Sequence, residues 1–232
     1  DRLVITKPPG WEVYDQHLEC TENQLLTLLR ERSAHRSAIL SDAEHAYGFL
    51  QRLDVPSSGL ILAAKTYEGY YDLRVQLNAG QIARDYVLLC HGWIPPHLFE
   101  VNAHVYWRGG LPTSVGQQGK PSRTRLKVLA HLCRKGDALS LVATRIASGR
   151  RHQIRSHFSH KGHPTVCDGK YASAATFHAD RKFCAQNLLH RYRLAFKDVS
   201  GCDHAVIEPI PDDLISSLGQ VMARNGNSAG SV

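Results

Sequence analysis

The chain of 232 residues is poor in several things. It has one Met, no run of apolar residues near the ~20 that a membrane helix needs, and no C-x-x-C pair among its six cysteines. Its longest apolar stretches, such as Leu60 to Ala64, are cut short by charge or glycine. A membrane helix is therefore excluded, and a soluble chain is expected. Wide, irregular cysteine spacing in a chain too long to need covalent staples points to reduced thiols and an intracellular setting, with cytosol, nucleus and organelle all open. Lys7 and Pro8-Pro9-Gly10 interrupt any signal-like segment, and the first residue, Asp1, marks an expected cut point rather than a natural start. What is present is an ordinary globular composition, 43% hydrophobic with 18 Gly and 10 Pro spread along the chain, which rules out disorder and collagen-like character.

Acidic charge is also scarce, and unevenly so. The chain carries +7 overall, but residues 120–170 hold twelve Lys or Arg against Asp137 and Asp168, so that this window exceeds the charge of the whole. Positive charge gathered in one region suits a polyphosphate partner, because each neutralised phosphate releases counterions. Nucleic acid leads the candidates, with a solvated basic surface as the plain alternative.

Local patterning predicts the elements. Arg2–Lys7 reads as a strand ended by Pro8-Pro9-Gly10, and Thr21-Glu22-Asn23-Gln24 as a capping box opening a helix to about Ser33. Residues 34–45 read as a loop; Ala46–Leu53 and Leu60–Ala64 read as two strands around a turn at 54–59. Thr66 caps a helix that stops before Gly80, and Ala83–Cys90 is strand-like. Residues 93–122 form loops with short strands, and Thr124–Leu132 pairs with Leu139–Thr144. His152–Lys161 and the segment opened by Pro211 are helical, and Leu188–Phe196 is a strand. No repeat or clean linker divides the chain, so one mixed α/β domain over residues 1–222, with a disordered tail at 223–232, is the economical reading.

Two constellations could carry chemistry. In Gln51-Arg52-Leu53-Asp54-Val55-Pro56-Ser57-Ser58-Gly59, Arg52 and Asp54 share a face if the segment is a strand, and the following turn presents the carboxylate at a strand end. Asp before x-Pro-Ser-Ser-Gly is also a good turn residue, and local spacing by itself favours that reading. In Ser148-Gly149-Arg150-Arg151-His152-Gln153-Ile154-Arg155, cations at the start of a helix oppose its macrodipole, which an anionic partner would explain. His152, His157, His160 and His163 suggest a metal, but nearby Arg and Lys repel a cation and Gly162-His163-Pro164 leaves the helix, so no metal is expected.

Arg52-Leu53-Asp54-x-x-Ser-Ser-Gly-Leu, Arg84-Asp85-Tyr86-Val87-Leu88-Leu89-Cys90-His91-Gly92, Ser148 to Arg155 and Gly162-His163-Pro164 to Asp168, in that order, resemble the motifs of RluA-type RNA pseudouridine synthases. Lys7-Pro8-Pro9-Gly10, Leu189-His190 and Glu208-Pro209-Ile210-Pro211 resemble that family's opening and closing segments, so the likeness covers nearly the whole chain. The resemblance implies the pseudouridine synthase fold, a mixed, mostly antiparallel sheet with flanking helices and a central cleft. It further implies isomerisation of uridine in structured RNA, rRNA or tRNA, with no cofactor, by a monomer. It assigns Asp54 as the catalytic aspartate, Tyr86 as the ring that stacks on uracil, and Arg155 as the carboxylate's partner. Arg52 resembles the residue that holds the flipped-out conformation, and Leu188 or Leu189 walls the uracil pocket. The basic window, including Arg150, Arg151, His152, Gln153 and Lys161, is assigned to flanking RNA.

The chain departs from the family at Gln51, usually His; at Ser57 and Arg151, usually Thr; and at Cys167, usually Gly. Gln51 keeps hydrogen-bonding capacity but does not titrate, which leaves room for a catalytically silent RNA-binding module. A nucleoside hydrolase would need a second carboxylate, Asp85 or Asp168, opposed to Asp54. No separate basic RNA-binding segment precedes Lys7, so the catalytic domain binds RNA alone or such a domain lies outside this chain.

Overall fold

The computed structural model describes residues 1–14, 23–32, 37–109 and 111–224. In chain order the elements begin with β1 (Arg2–Lys7), α1 (Leu25–Arg32), β2 (Ser58–Ala64), α2 (Tyr67–Asn78) and β3 (Ala83–His91). Short strands β4 (Glu100–Asn102), β5 (Val105–Tyr106) and β6 (Ser114–Val115) precede the long pair β7 (Arg123–Arg134) and β8 (Asp137–Ile146). The rest comprises α3 (Gln153–His160), α4 (Ala174–Asp180), β9 (Leu189–Lys197), β10 (Asp203–Ile207), α5 (Asp212–Leu218) and β11 (Met222–Ala223). Among the described residues no helix is long and apolar enough to cross a membrane.

The chain divides into two compact units, each assembled from three segments: Asp1–Tyr86, Arg145–His152 and Leu189–Ile210 form the first, and Val87–Thr144, Gln153–Leu188 and Pro211–Val232 the second. The expectation of a single domain rested on the absence of a linker. With the segments interleaved, the division falls inside elements such as β3, and no composition shift marks it.

In the first unit β1 lies antiparallel on β2, from Arg2 opposite Ala64 to Lys7 opposite Gly59. β2 in turn runs parallel to β9, and β10 closes antiparallel on β9. Every residue of β2 is buried, which is why it reads as a continuous apolar run rather than an alternation. Leu60 and Leu62 of β2 join Tyr70, Leu73, Ile82, Leu194 and Phe196 in the core of this unit. Thr66 caps α2 as expected, its hydroxyl accepting from the Gly69 amide at 3.1 Å. Thr21 and Glu22 of the expected capping box lie outside the described residues.

The expected strand over Ala46–Leu53 does not form. Ala46–Gly48 is a 3₁₀ turn with Ala46 and Tyr47 at φ 51° and 54°, a left-handed reversal that no ladder accommodates. The chain then meets β2 through the Phe49–Ala63 bridge and the Leu50 amide on the Leu62 carbonyl, without a ladder. Residues 38–41, expected as loop, form a second 3₁₀ turn.

In the second unit β7 and β8 form the expected hairpin across Lys135-Gly136, and β4 pairs antiparallel with β7. β11 also pairs with β7, Ala223 standing opposite Leu132, so the expected tail begins too early; residues 225–232 lie outside the described part. α4, capped by the Ser173 hydroxyl on the Thr176 amide, went unread because it spans only seven residues. The five described cysteines are unbridged.

Candidate active site

Asp54 sits in an extended segment that turns into β2. Its main-chain carbonyl accepts from the Ser57 amide at 3.0 Å, closing a turn over Val55 and Pro56, where proline's fixed φ favours the bend. The carboxylate is 23% exposed, and its Oδ1 lies 3.9 Å from His152 Nε2. The backbone at Asp54 thus makes the turn, and its carboxylate keeps partial exposure.

Lys7 locks that turn from the interior. Its side chain is fully buried and donates to the carbonyls of Pro8 at 2.8 Å, Trp11 at 2.8 Å and Val55 at 3.2 Å. Val55 also accepts from the Gly10 amide at 2.8 Å, so the Lys7-Pro8-Pro9-Gly10 segment grips the residue after Asp54 twice. Burial drives the Lys7 ammonium down to about 7, with the charges of Asp54 and Glu12 pulling the other way.

Tyr86, on β3, is buried, and its hydroxyl accepts from Arg191 Nε at 2.9 Å and Nη2 at 2.5 Å. Arg191 Nη1 also donates to the Leu60 carbonyl at 3.0 Å, pinning β9 to β2. That approach requires Gly59: it holds φ +115°, and a Cβ there would fall 2.3 Å from the Arg191 carbonyl oxygen. Arg84, two residues before Tyr86, is buried and donates to the Ala147 carbonyl. Desolvation lowers its guanidinium to about 10, with Tyr86 opposing and Arg191 adding to the fall. Gly149 of the Ser148–Arg155 motif is explained here: a Cβ would stand 3.0 Å from Arg84 Nη1 and 3.4 Å from Gln51 Nε2. Gln51 thus packs beside that glycine.

Asp85 is bound by Arg145 at 2.5 and 2.8 Å and by Arg193 at 2.9 Å; against the upward push of burial, these bonds hold its carboxyl below the usual range. Arg52, Arg150 and Arg151 are exposed, and the Arg52 guanidinium stands 5.6 Å from the centre of the Tyr14 ring. Leu189 is buried at the start of β9.

In the second unit α3 carries Arg155 inward, where it is 2% exposed. Its Nε and Nη2 each meet an oxygen of Asp168 at 2.7 Å, a two-pronged pair completed by Thr165 Oγ1 at 3.0 Å and the Lys170 amide at 3.1 Å. Burial pushes the Asp168 carboxyl upward, but these partners prevail and hold it below its ordinary range. Gln153, expected to touch RNA, is buried instead, its amide donating to the Arg123 carbonyl at 3.0 Å and to Thr124 Oγ1 at 3.1 Å. Lys161 is exposed, and Leu188 is buried. Cys167, where the family resembled by this sequence usually has Gly, holds φ 60°, a conformation that favours glycine.

The four histidines occupy separate settings. His152 approaches Asp54, while His157 lies 2.9 Å from Thr124 Oγ1, and burial lowers it to about 4. His163 bonds the His91 carbonyl at 2.9 Å, and His160 ends α3 exposed. Among the described residues no cluster of His, Cys, Asp or Glu could hold a metal ion. Sequence reasoning missed the support: the buried amine of Lys7, Arg191 on Tyr86, and Asp168 on Arg155. Each was visible only as a motif neighbour.

Residues 1–160 match the family described as RNA pseudouridylate synthase. The ribosomal large subunit pseudouridine synthase D of Neisseria meningitidis is 29% identical over 97% of this chain and 60% of its own length. The ribosomal large subunit pseudouridine synthase C of Haemophilus ducreyi is 30% identical over 95% of this chain and 67% of its own. Among solved structures, human RNA pseudouridylate synthase domain containing 1 superposes with a TM-score of 0.73 at 25% identity, covering 97% of this chain and 85% of that one. The chain therefore spans about three fifths of the Neisseria relative's length.

Proposed function

This chain belongs to the RNA pseudouridylate synthase family, and from that premise we propose that it isomerises uridine to pseudouridine in RNA, with Asp54 as the catalytic group. The reaction breaks the bond from C1′ to N1, turns the base and joins C1′ to C5; the C5 proton leaves and N1 gains one. It needs an ionised oxygen that reaches an extruded base, a shielded pocket and no redox partner.

The observation that carries this reading is the Asp54 turn. The carboxylate stays partly exposed while the backbone beneath it is clamped by a buried lysine, which fixes the position of the nucleophile through its main chain. Tyr86 supplies the ring for the base, oriented by Arg191. Arg150 and Arg151 meet phosphates. The alternative of hydrolysis wants a second available acid, and both candidates are taken: Asp85 by two arginines and Asp168 by Arg155. The names of the relatives point to large-subunit ribosomal RNA as the source of the target.

The test is to map pseudouridine in cellular RNA, and in large-subunit rRNA transcribed without modifications, with the wild-type and Asp54→Ala proteins. Sites made by the wild type and lost in the variant support the reading. A wild-type protein that binds RNA and makes no pseudouridine is the silent module, and turnover retained by Asp54→Ala removes Asp54 from its role.

A further inference from the structure

β7 alternates strictly over its first five residues: Arg123, Arg125 and Lys127 are exposed, and Thr124 and Leu126 are buried. An extended strand advances about 3.4 Å per residue, so these three cations follow one another at intervals of about 7 Å along one face. That interval is on the scale of successive phosphates in a nucleic-acid chain. Within the basic window Arg145 and Arg155 are held internally, by Asp85 and Asp168. On β7 the balance differs. Glu100 of β4, opposite Arg125, meets Arg123 at 2.6 Å and Arg125 at 3.5 Å, one carboxylate between two guanidiniums. Both arginine side chains keep about half or more of their exposure, 49% and 62%.

The backbone beneath these side chains is fixed. Gln153 donates to the Arg123 carbonyl and the Thr124 hydroxyl, His157 bonds that same hydroxyl, and the Leu126 amide donates to the Phe99 carbonyl at 2.9 Å. Buried polar side chains from α3 are thus spent on holding a strand whose outward face is cationic. We infer that the exposed face of β7 is a binding surface for the RNA phosphodiester backbone beyond the target nucleotide. It rests on the RNA-modifying reading above and adds to it the element that measures the length of RNA engaged.

The experiment compares two hairpins with the same uridine-containing loop, one bare and one carrying single-stranded extensions. Wild-type protein is expected to bind the extended hairpin more tightly. The combined Arg123→Gln, Arg125→Gln and Lys127→Gln variant loses that advantage by about tenfold at physiological salt, with a salt slope shallower by about two to three for the extended RNA. Glu100→Gln shifts the other way, tightening the extended hairpin by about two- to threefold, because it releases two guanidiniums. Full retention of the advantage and slope by the triple variant overturns the inference, as does an equal loss on the bare hairpin and on heparin. If the triple variant fails to fold, Glu100→Gln decides, and unchanged binding rejects the surface. Absence of pseudouridine from wild-type reactions would defeat the enzymatic reading instead, which keeps the two failures apart.

Discussion

Asp54 and Asp168 are both aspartates in motifs of one family, and the protein treats them oppositely. Asp168 has no side-chain exposure, and four donors converge on its oxygens: two from Arg155, one from Thr165 and one from the Lys170 amide. Asp54 keeps nearly a quarter of its exposure, and its backbone is held by the Ser57 amide and by the Lys7 ammonium on the next carbonyl. A carboxylate saturated with bonds has little left to offer a substrate. A carboxylate that keeps some exposure while its main chain is clamped has its position set through the backbone.

The sharpest way to break that comparison is to neutralise each acid in turn. Asp54→Asn should lower pseudouridine formation by on the order of 10⁴ while the melting temperature stays within a degree or two, read from turnover and calorimetry together. Asp168→Asn should do the reverse in kind: breaking a buried pair costs about 3–5 kcal/mol, a fall of roughly 10 °C or more in melting temperature for a chain of this size. Its carboxyl is held below the ordinary range, so the stability it lends is present above the unfolded value of about 4 and is lost as pH falls through the folded one. Acid titration of the variant should therefore lack that part of the wild-type slope. Equal loss of turnover and equal stability in the two variants would erase the distinction.

A smaller effect is expected at Lys7. Its folded value, about 7, lies below the unfolded value of 10.5, so between them the unfolded chain binds the proton and the folded chain releases it. Stability should rise as pH moves from 7 toward 10, and Lys7→Met should remove that rise while slowing turnover through a looser Asp54 turn. Urea melts at stepped pH read the first effect and initial rates the second. The smallest expected change is at Arg150 and Arg151. Their joint replacement by Ala should flatten the salt dependence of RNA binding by about one unit of slope per lost phosphate contact, and an unchanged slope would place the RNA elsewhere.

Much of the fold was legible because its signals are local. β1, α2, β9 and the β7–β8 hairpin follow from alternation, a threonine cap and turn residues within a few positions of one another. Ala46–Leu53 misled because its apolar content is that of a strand, whereas left-handed backbone at Ala46 and Tyr47, set by packing in the first unit, reverses the chain there. The short α4 carries too few turns for a period to show, and Ala223 reads as tail until Leu132 is found beside it. At the site the same division holds. Asp54, Tyr86 and Arg155 stand in motifs and could be named, while Gln153 reads as a surface residue beside two arginines and is in fact buried against β7.

Residue order along the chain was enough to name the family and to show where positive charge gathers, since motif spacing, charge density and turn chemistry are properties of neighbours. Which charges remain free to act was decided by tertiary structure. Pairings such as Arg155 with Asp168, Tyr86 with Arg191 and Asp85 with Arg193 join side chains 13 to 108 positions apart, and Coulomb attraction and desolvation depend on distance in space, which the order of residues does not record.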